Sequence, residues 1–357
     1  MATTGGRNIT NSSGQSNSTG KDVSNREDLA NFITMITRDE TPFLASIGKS
    51  KSTNIYHEWQ TDELQAPGNS RVAEGTDFLS AGTAPAAGDG AASTIVGPFR
   101  TRLGNYTQIN SKVISVSGSR RALDQAGVAD EYAYQLKKRG TEMRRDMEFD
   151  LINTYNKQTS TGARKTGGYQ SFINSNDTCV FKGAFTQPAT PNTGVTSVTV
   201  AAGAAKAALA LTDIDAVMQK IYEAGGKATR VMVSPKLRRD FSDLLISDTG
   251  VQRNIDDSGK LRQSVDVYMS DFGDLMVVPN YIMGLASTTT DATTTQFNAK
   301  DSCALVYDPM WFAMATFRPM QEVEVGQKGD STVGMFVEEW SLEVKNPKGC
   351  GAIYGLQ

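Results

Sequence analysis

The chain has 357 residues, a formal net charge of -3, 39% hydrophobic residues and 21% charged residues. That is enough for about two globular domains, or for one domain with long extensions, and it carries no basic surplus of the kind a DNA-reading protein needs. Cys179, Cys303 and Cys350 are spaced for neither a disulfide framework nor a metal knuckle, so buried reduced thiols are expected, and no apolar run reaches the length of a membrane span.

Residues 1–24 are too polar to offset the entropy of ordering and are expected to be disordered. Met1 to Gly20 contains no hydrophobic segment, so no secretory signal is expected. Leu29, Phe32, Ile33 and Ile36 fall at helical spacing. They predict a short helix capped by Ser24 or Asn25 and ended by Thr41-Pro42. Residues 53–64 (TNIYHEWQTDEL) read as a strand with polar groups on both faces, and so not as a core strand. Residues 64–93 are rich in Gly, Ala and Pro, and 94–117 return as strand. The whole of 50–117 is expected to form a long two-stranded arm with a flexible tip. An isolated hairpin is marginal in water, so such an arm needs a surface, and a neighbouring copy of the same chain is the simplest one.

A long helix is predicted over 121–155, with Ala129, Ala133, Leu136, Gly140, Met143, Met147 and Leu151 forming one apolar stripe. At 1.5 Å per residue it would be about 50 Å long. Lys137, Lys138, Arg139, Arg144 and Arg145 alternate with Glu142, Asp146 and Glu148 on its other faces. Pairs such as Lys138/Glu142 and Arg144/Glu148 would make this a solvated face. The alternative is a weak, sequence-independent contact of Lys137, Lys138 and Arg139 with DNA.

Residues 176–210 are rich in Thr, Ala, Pro and Gly, with one strand expected at 195–200. The pattern then turns α/β. A helix is predicted from N-cap Thr212 to Glu223, closed by Gly225-Gly226. A strand follows at 230–233, then a helix opened by Pro235 and running to about Ile246. Further strands are expected at 265–269, 275–278, 304–307 and 312–317, with a Thr-rich loop at 286–296. Residues 320–345 read as a hairpin turning at 326–331, with Val323/Val325 and Phe336/Glu338/Trp340/Leu342 in strand alternation.

Little in the chain supports catalysis. His57 is the one histidine, and it is expected to be exposed or interfacial on the arm. No G-x-S-x-G elbow, P-loop or dinucleotide fingerprint is present. Asp256-Asp257 and the pair Asp271 and Asp274 lack calcium-loop spacing. No catalytic, metal or cofactor site is therefore expected, and the chain is not expected to be an enzyme. Tyr56, Trp59, Phe78, Phe99 and Tyr106 lie in segments without a core of their own. Large aromatics on a protruding element bury against a partner, which marks these five as candidate subunit-contact residues.

The segments 41–64 (TPFLASIGKSKSTNIYHEWQTDEL), 103–119 (LGNYTQINSKVISVSGS), 166–173 (TGGYQSFI), 270–280 (SDFGDLMVVPN), 305–320 (LVYDPMWFAMATFRPM) and 329–349 (GDSTVGMFVEEWSLEVKNPKG) resemble, in order, the major head proteins of tailed bacteriophages. The resemblance implies the α+β Hong Kong 97-type capsid fold. Residues 1–49 would be an N-terminal arm, 50–117 the extended β-hairpin loop lying on an adjacent subunit, and 118–204 the peripheral domain with its spine helix. Residues 205–302 would form the α/β axial domain, and 303–357 would return to complete the peripheral sheet. Residues 176–210 are longer than the family's usual connection and would be a surface decoration or an inserted strand pair. The resemblance further implies a homo-oligomeric icosahedral shell of pentamers and hexamers, assembled in the bacterial cytoplasm around double-stranded DNA without sequence readout. Portal protein and scaffold or decoration proteins would be its partners, and no membrane is involved. A cargo-filled nanocompartment shell of the same fold, a tail or neck protein and an α/β enzyme are the rival readings.

Overall fold

The computed structural model describes residues 33–64, 74, 100–123, 125, 127–153, 156–159, 163–183, 185–195, 198–200, 206–248, 266–284, 303–327 and 329–356. The expected disordered start, most of the first predicted helix, the Thr-rich loop, and Phe78 and Phe99 lie outside these residues.

Pro42 opens a helix instead of closing one. Residues 33–36 are not helical, and α1 (Pro42–Ser46) carries the proline at its first turn, where the fixed φ suits a helix and no N–H is missed. Strand β1 (Gly48–Lys51) follows. Strands β2 (Tyr56–Thr61) and β3 (Thr101–Tyr106) pair antiparallel as a separate ribbon, with Tyr56 opposite Tyr106 and Thr61 opposite Thr101. The chain then continues as β4 (Gln108–Ser117). The predicted arm is thus shorter than 50–117, because β1 and β4 both belong to a body sheet.

The long helix also shrinks. A separate turn, α2 (Gly118–Ala122), is capped by the Ser117 side chain. The backbone then breaks at Gly127, whose φ is +82°, and α3 (Glu131–Ile152) starts only where the Asp130 carboxylate accepts the Tyr132 N–H at 3.0 Å. Its length is about 33 Å, and only the C-terminal part of the predicted stripe (Met143, Met147, Leu151) is buried. A short helix, α4 (Tyr169–Phe172), is buried throughout.

The segment 176–210 is part of the body rather than a decoration. Strand β5 (Val180–Phe181) joins a large sheet, and β6 (Phe185–Thr186) pairs with β7 (Thr199–Val200). Cys179, Phe185 and Val198 enter the main core. Helix α5 (Leu211–Glu223) begins one residue before the predicted cap. The Asp213 carboxylate accepts the Ala210 N–H at 2.9 Å, so Asp213 rather than Thr212 holds that end. Gly225, at φ +79°, terminates the helix in a conformation that favours glycine. Strand β8 (Arg230–Val233), helix α6 (Pro235–Asp248), β9 (Val267–Ser270), β10 (Gly273–Pro279), β11 (Cys303–Tyr307), β12 (Phe312–Gln327), β13 (Ser331–Val344) and β14 (Gly351–Tyr354) complete the described elements.

Two sheets organise these parts. One has four strands in the order β1-β12-β13-β4, the other six in the order β5-β14-β11-β8-β10-β9. Helices α5 and α6 cover one face of the larger sheet, where Ile214, Val217, Leu237 and Phe241 meet Val231, Leu275, Val306 and Ile353. The opposite face (Met232, Leu305, Tyr307, Tyr354) shares a core with Phe43, Leu151, Tyr169, Phe312 and Trp340. This corrects the expected course of 303–357. Only β12 and β13 return to the sheet under α3. Strands β11 and β14 stand in the interior of the α/β sheet, paired to each other and, through Leu305 opposite Met232, to β8. Both are buried on both faces, so they require layers on both sides, which only that position supplies.

Candidate functional site

The arm ribbon is fastened to the body by a dense polar and aromatic base. Asn105 on β3 is fully buried. Its amide nitrogen donates to Thr166 Oγ1 at 2.9 Å, Gly167 O at 3.1 Å and Leu342 O at 2.9 Å. Its Oδ1 accepts the N–H groups of Gly167 at 2.8 Å and Tyr106 at 3.0 Å. One side chain therefore ties the ribbon to the 166–167 loop and to β13. Beside it, Glu339 on β13 is 2% exposed. It takes Arg164 at 2.6 Å, Arg318 at 2.8 Å and the Thr107 hydroxyl at 2.6 Å, so its buried charge is paired and hydrogen-bonded.

The predicted contact aromatics divide. Trp59 is 9% exposed and packs on Phe172 with ring centroids 5.9 Å apart. It belongs to the chain's own core, which corrects the view of this strand as coreless. Tyr56 and Tyr106 are half-buried and lie 4.6 Å apart. Lys157 bridges the two layers: its Nζ donates to Gly104 O at 2.7 Å and sits over the rings of Tyr56 and Phe172. Burial lowers the Lys157 ammonium below its ordinary pKa and raises the Tyr56 phenol above its own. A Cβ at Gly104 would lie 2.6 Å from the Tyr56 ring and would push that ring out of its place.

His57 also turns inward. Its Nε2 lies 3.4 Å from Glu343 Oε2, which accepts the Ser50 hydroxyl at 2.8 Å. The hydrogen bond from His57, followed by that from Ser50, holds the Glu343 carboxyl below the usual range against its burial. Serine and histidine both point at the carboxylate, so the imidazole is not placed to take the serine proton. Nucleophilic catalysis needs the base between the other two. All three cysteines are fully buried, and burial pushes the Cys179 and Cys350 thiols up to about 12. Among the described residues no group of three or more His, Cys, Asp or Glu side chains could hold a metal ion, and no helix is long and apolar enough to cross a membrane.

On α3 the structure redistributes the charges. Arg139 pairs with Glu142 at 2.6 Å, in place of the predicted Lys138/Glu142. Lys137 is exposed and Lys138 half-buried. Glu148, expected on the solvated face opposite Arg144, is fully buried. Its carboxylate accepts the N–H of Phe43 at 2.9 Å, the N–H of Leu44 at 2.6 Å and the Asn280 amide at 2.7 Å. It thereby clamps the first turn of α1 and the end of β10 onto α3. Burial, outweighing these three donors, raises its pKa to about 7. Two residues on, burial likewise pushes Asp150 to about 6, although Gln108 donates to it at 2.7 Å. The sequence signal for Glu148 was its phase, next to Met147 and one position short of a turn from Leu151. Its charge masked that signal.

A family model described as SU10 major capsid protein matches residues 8–357. The major capsid protein of Escherichia phage Phieco32 is 28% identical over 260 residues, which are 65% of this chain and 70% of that protein. Among solved structures, the capsid of Myoviridae phage XM1 is similar with a TM-score of 0.54 at 14% identity, covering 92% of this chain and 97% of that one. The mature capsid of bacteriophage PhiM1 gives a TM-score of 0.55 at 11% identity, with 94% and 92% covered. The capsid of cyanophage P-SCSP1u gives 0.53 at 13% identity, with 92% of each chain covered. At these identities the likeness to solved structures concerns the fold.

Proposed function

Because the chain belongs to the SU10 major capsid protein family, and so is a structural component of a bacteriophage head rather than an enzyme, we propose that its copies close into the icosahedral shell by laying the β2–β3 arm of one subunit on the next. The observation that carries this reading is the ribbon itself. Among the described residues its two strands pair only with each other, and they are anchored at Asn105 and Trp59. The ribbon's base is thereby fastened to its own subunit, and repeated identical contacts between copies close rings and shells.

In this reading the six-stranded α/β sheet with α5 and α6 forms the axial unit, gathered at the five-fold and quasi-six-fold axes. The four-stranded sheet with α3 forms the peripheral unit. Tyr56, Tyr106, Phe78 and Phe99 supply contacts between copies, and Lys137 and Lys138 face packaged DNA without reading its sequence. Portal protein at one vertex, and scaffold or decoration proteins, are the further partners of such a shell.

Deleting residues 65–93 tests the arm. The expected result is a subunit with unchanged circular dichroism that fails to form closed particles in electron micrographs. Normal particles from the deleted chain would overturn the reading.

A further inference from the structure

Helix α1 is five residues long and has no cap of its own, since the Thr41 side chain makes no capping hydrogen bond. A helix this short does not persist by its own turns, and its first N–H groups need acceptors from elsewhere. Pro42 has no N–H, so the open donors of this turn are Phe43 and Leu44. Both go to Glu148, 105 and 104 residues away along the chain. The same carboxyl takes the amide of Asn280, the residue after β10. One side chain of α3 thus replaces the missing cap of α1 and also holds the end of a strand of the six-stranded sheet. The donors are shared unevenly. Oε1 accepts from Phe43 and Asn280 and Oε2 from Leu44 alone, so Oε2 keeps room for a proton.

The elements packed around this carboxyl bring it no counter-charge. Helix α1 holds no ionisable residue. Strand β10 carries only Asp274, exposed at its far end, and Tyr281 follows Asn280. Tyr307 of β11 packs on the Phe43 ring. Burial lifts its phenol to about 12, so it stays neutral, and Arg230 of β8 acts on that phenol. On α3 itself Arg144 is exposed and Arg145 half-buried, Asp146 pairs with Lys112, and Asp150 takes the Gln108 amide. Among the described residues no lysine or arginine pairs with Glu148, and burial outweighs its three donors. An ionised carboxylate here is a buried charge without a cation, and water reaches it only if the covering segments lift.

We propose that Glu148 is a proton-operated latch: with its carboxyl protonated, α1 and the end of β10 stay docked on α3, and its ionisation raises the population of an open form in which both lift while the two sheets stay folded. The Phe43 ring, packed among Tyr169, Tyr307 and Phe312, keeps the closed form in the majority. The latch lies where residues 33–41 join the body, so it sets how firmly that segment is held, and it does not depend on how copies of the chain meet.

Amide hydrogen exchange of the full-length, unassembled subunit tests this between pH 5.5 and 8.5, read as protection factors corrected for the intrinsic exchange rate. With the carboxyl at about 7 when closed and 4.5 when open, protection at Phe43 and Leu44 should fall about thirty-fold over that range. It should stay below that of the β8 and β14 amides throughout, which marks the opening as local. Glu148→Gln does not titrate and keeps Oε1, so its profile at Phe43 should be flat. Asn280→Ala removes a donor that favours the ionised form and should move the midpoint of the fall to higher pH. A flat profile in the parent, or the same fall in Glu148→Gln, would overturn the latch. So would exchange at Phe43 and Leu44 as slow as in β8 and β14, because α1 would then open only with the whole subunit. Should Glu148→Gln not fold, Asn280→Ala decides: an unmoved midpoint would remove Glu148 as the titrating group.

Discussion

Glu148 is where a single substitution exposes the physics of the N-terminal anchor. Its carboxylate is buried among Phe43 N–H, Leu44 N–H and the Asn280 amide, and its pKa rises from 4.5 to about 7. A carboxyl that holds its proton more tightly folded than unfolded stabilises the fold fully below the unfolded pKa. That stability is lost as the pH rises through about 7. Each pKa unit corresponds to about 1.4 kcal/mol, so the whole excursion amounts to about 3.5 kcal/mol, most of it falling between pH 5 and 8. Glu148→Gln cannot titrate. It keeps the shape, and it turns one amide N–H toward a donor at a constant cost of about 1–2 kcal/mol. Urea unfolding of the unassembled subunit at several pH values would measure both chains, with Asp150 and the remaining acids cancelling in the difference. The parent should lose about 2.5 kcal/mol relative to Glu148→Gln between pH 5 and 8. A difference independent of pH, or a parent that gains stability as pH rises, would refute the reasoning. It would mean that the three donors, rather than burial, govern the carboxyl.

Asn105→Ala leaves the Gly167 N–H and the Leu342 carbonyl at the arm base without their partner, and should destabilise the subunit by about 2–4 kcal/mol in urea unfolding. Trp59→Ala opens a cavity against Phe172 and should cost about 3 kcal/mol of folding stability; a lowered particle yield with an unchanged unfolding midpoint would show that Trp59 acts between copies instead. The three thiols should resist an aromatic disulfide reagent at pH 8 until the chain is unfolded, because they are buried and the Cys179 and Cys350 thiols are raised to about 12. Replacing Lys137 and Lys138 together by alanine should reduce the salt-dependence slope of duplex binding by dissociated subunits by about 2; an unchanged slope would remove them from the DNA-facing surface.

The legible parts of this chain were those governed by local chemistry. The strand at 230–233, the helix opened by Pro235 and the β12–β13 hairpin follow from alternation, proline placement and turn residues, and they lie where those signals put them. The family likeness was legible for a related reason: its motifs keep their order along the chain. Helix limits were less so. The 121–155 stripe passes through Gly127 and Asp130, and whether such residues interrupt or cap a helix depends on the neighbours available to their backbone.

What only the tertiary structure decided is how distant segments share layers. Nothing local distinguishes a buried strand that returns to the α3 sheet from one that enters the α/β sheet, so the placement of β11 and β14 needed partners some 70 residues or more away in sequence, such as Met232 opposite Leu305. The same holds for single side chains. Trp59 and Glu148 sit in stretches whose polar neighbours argue for solvent. Trp59 is buried because Phe172 lies across from it, and Glu148 because Phe43, Leu44 and Asn280 bring donors to it. Burial of an aromatic or a carboxylate is decided by what stands opposite, and that is set by the fold rather than by the adjoining residues.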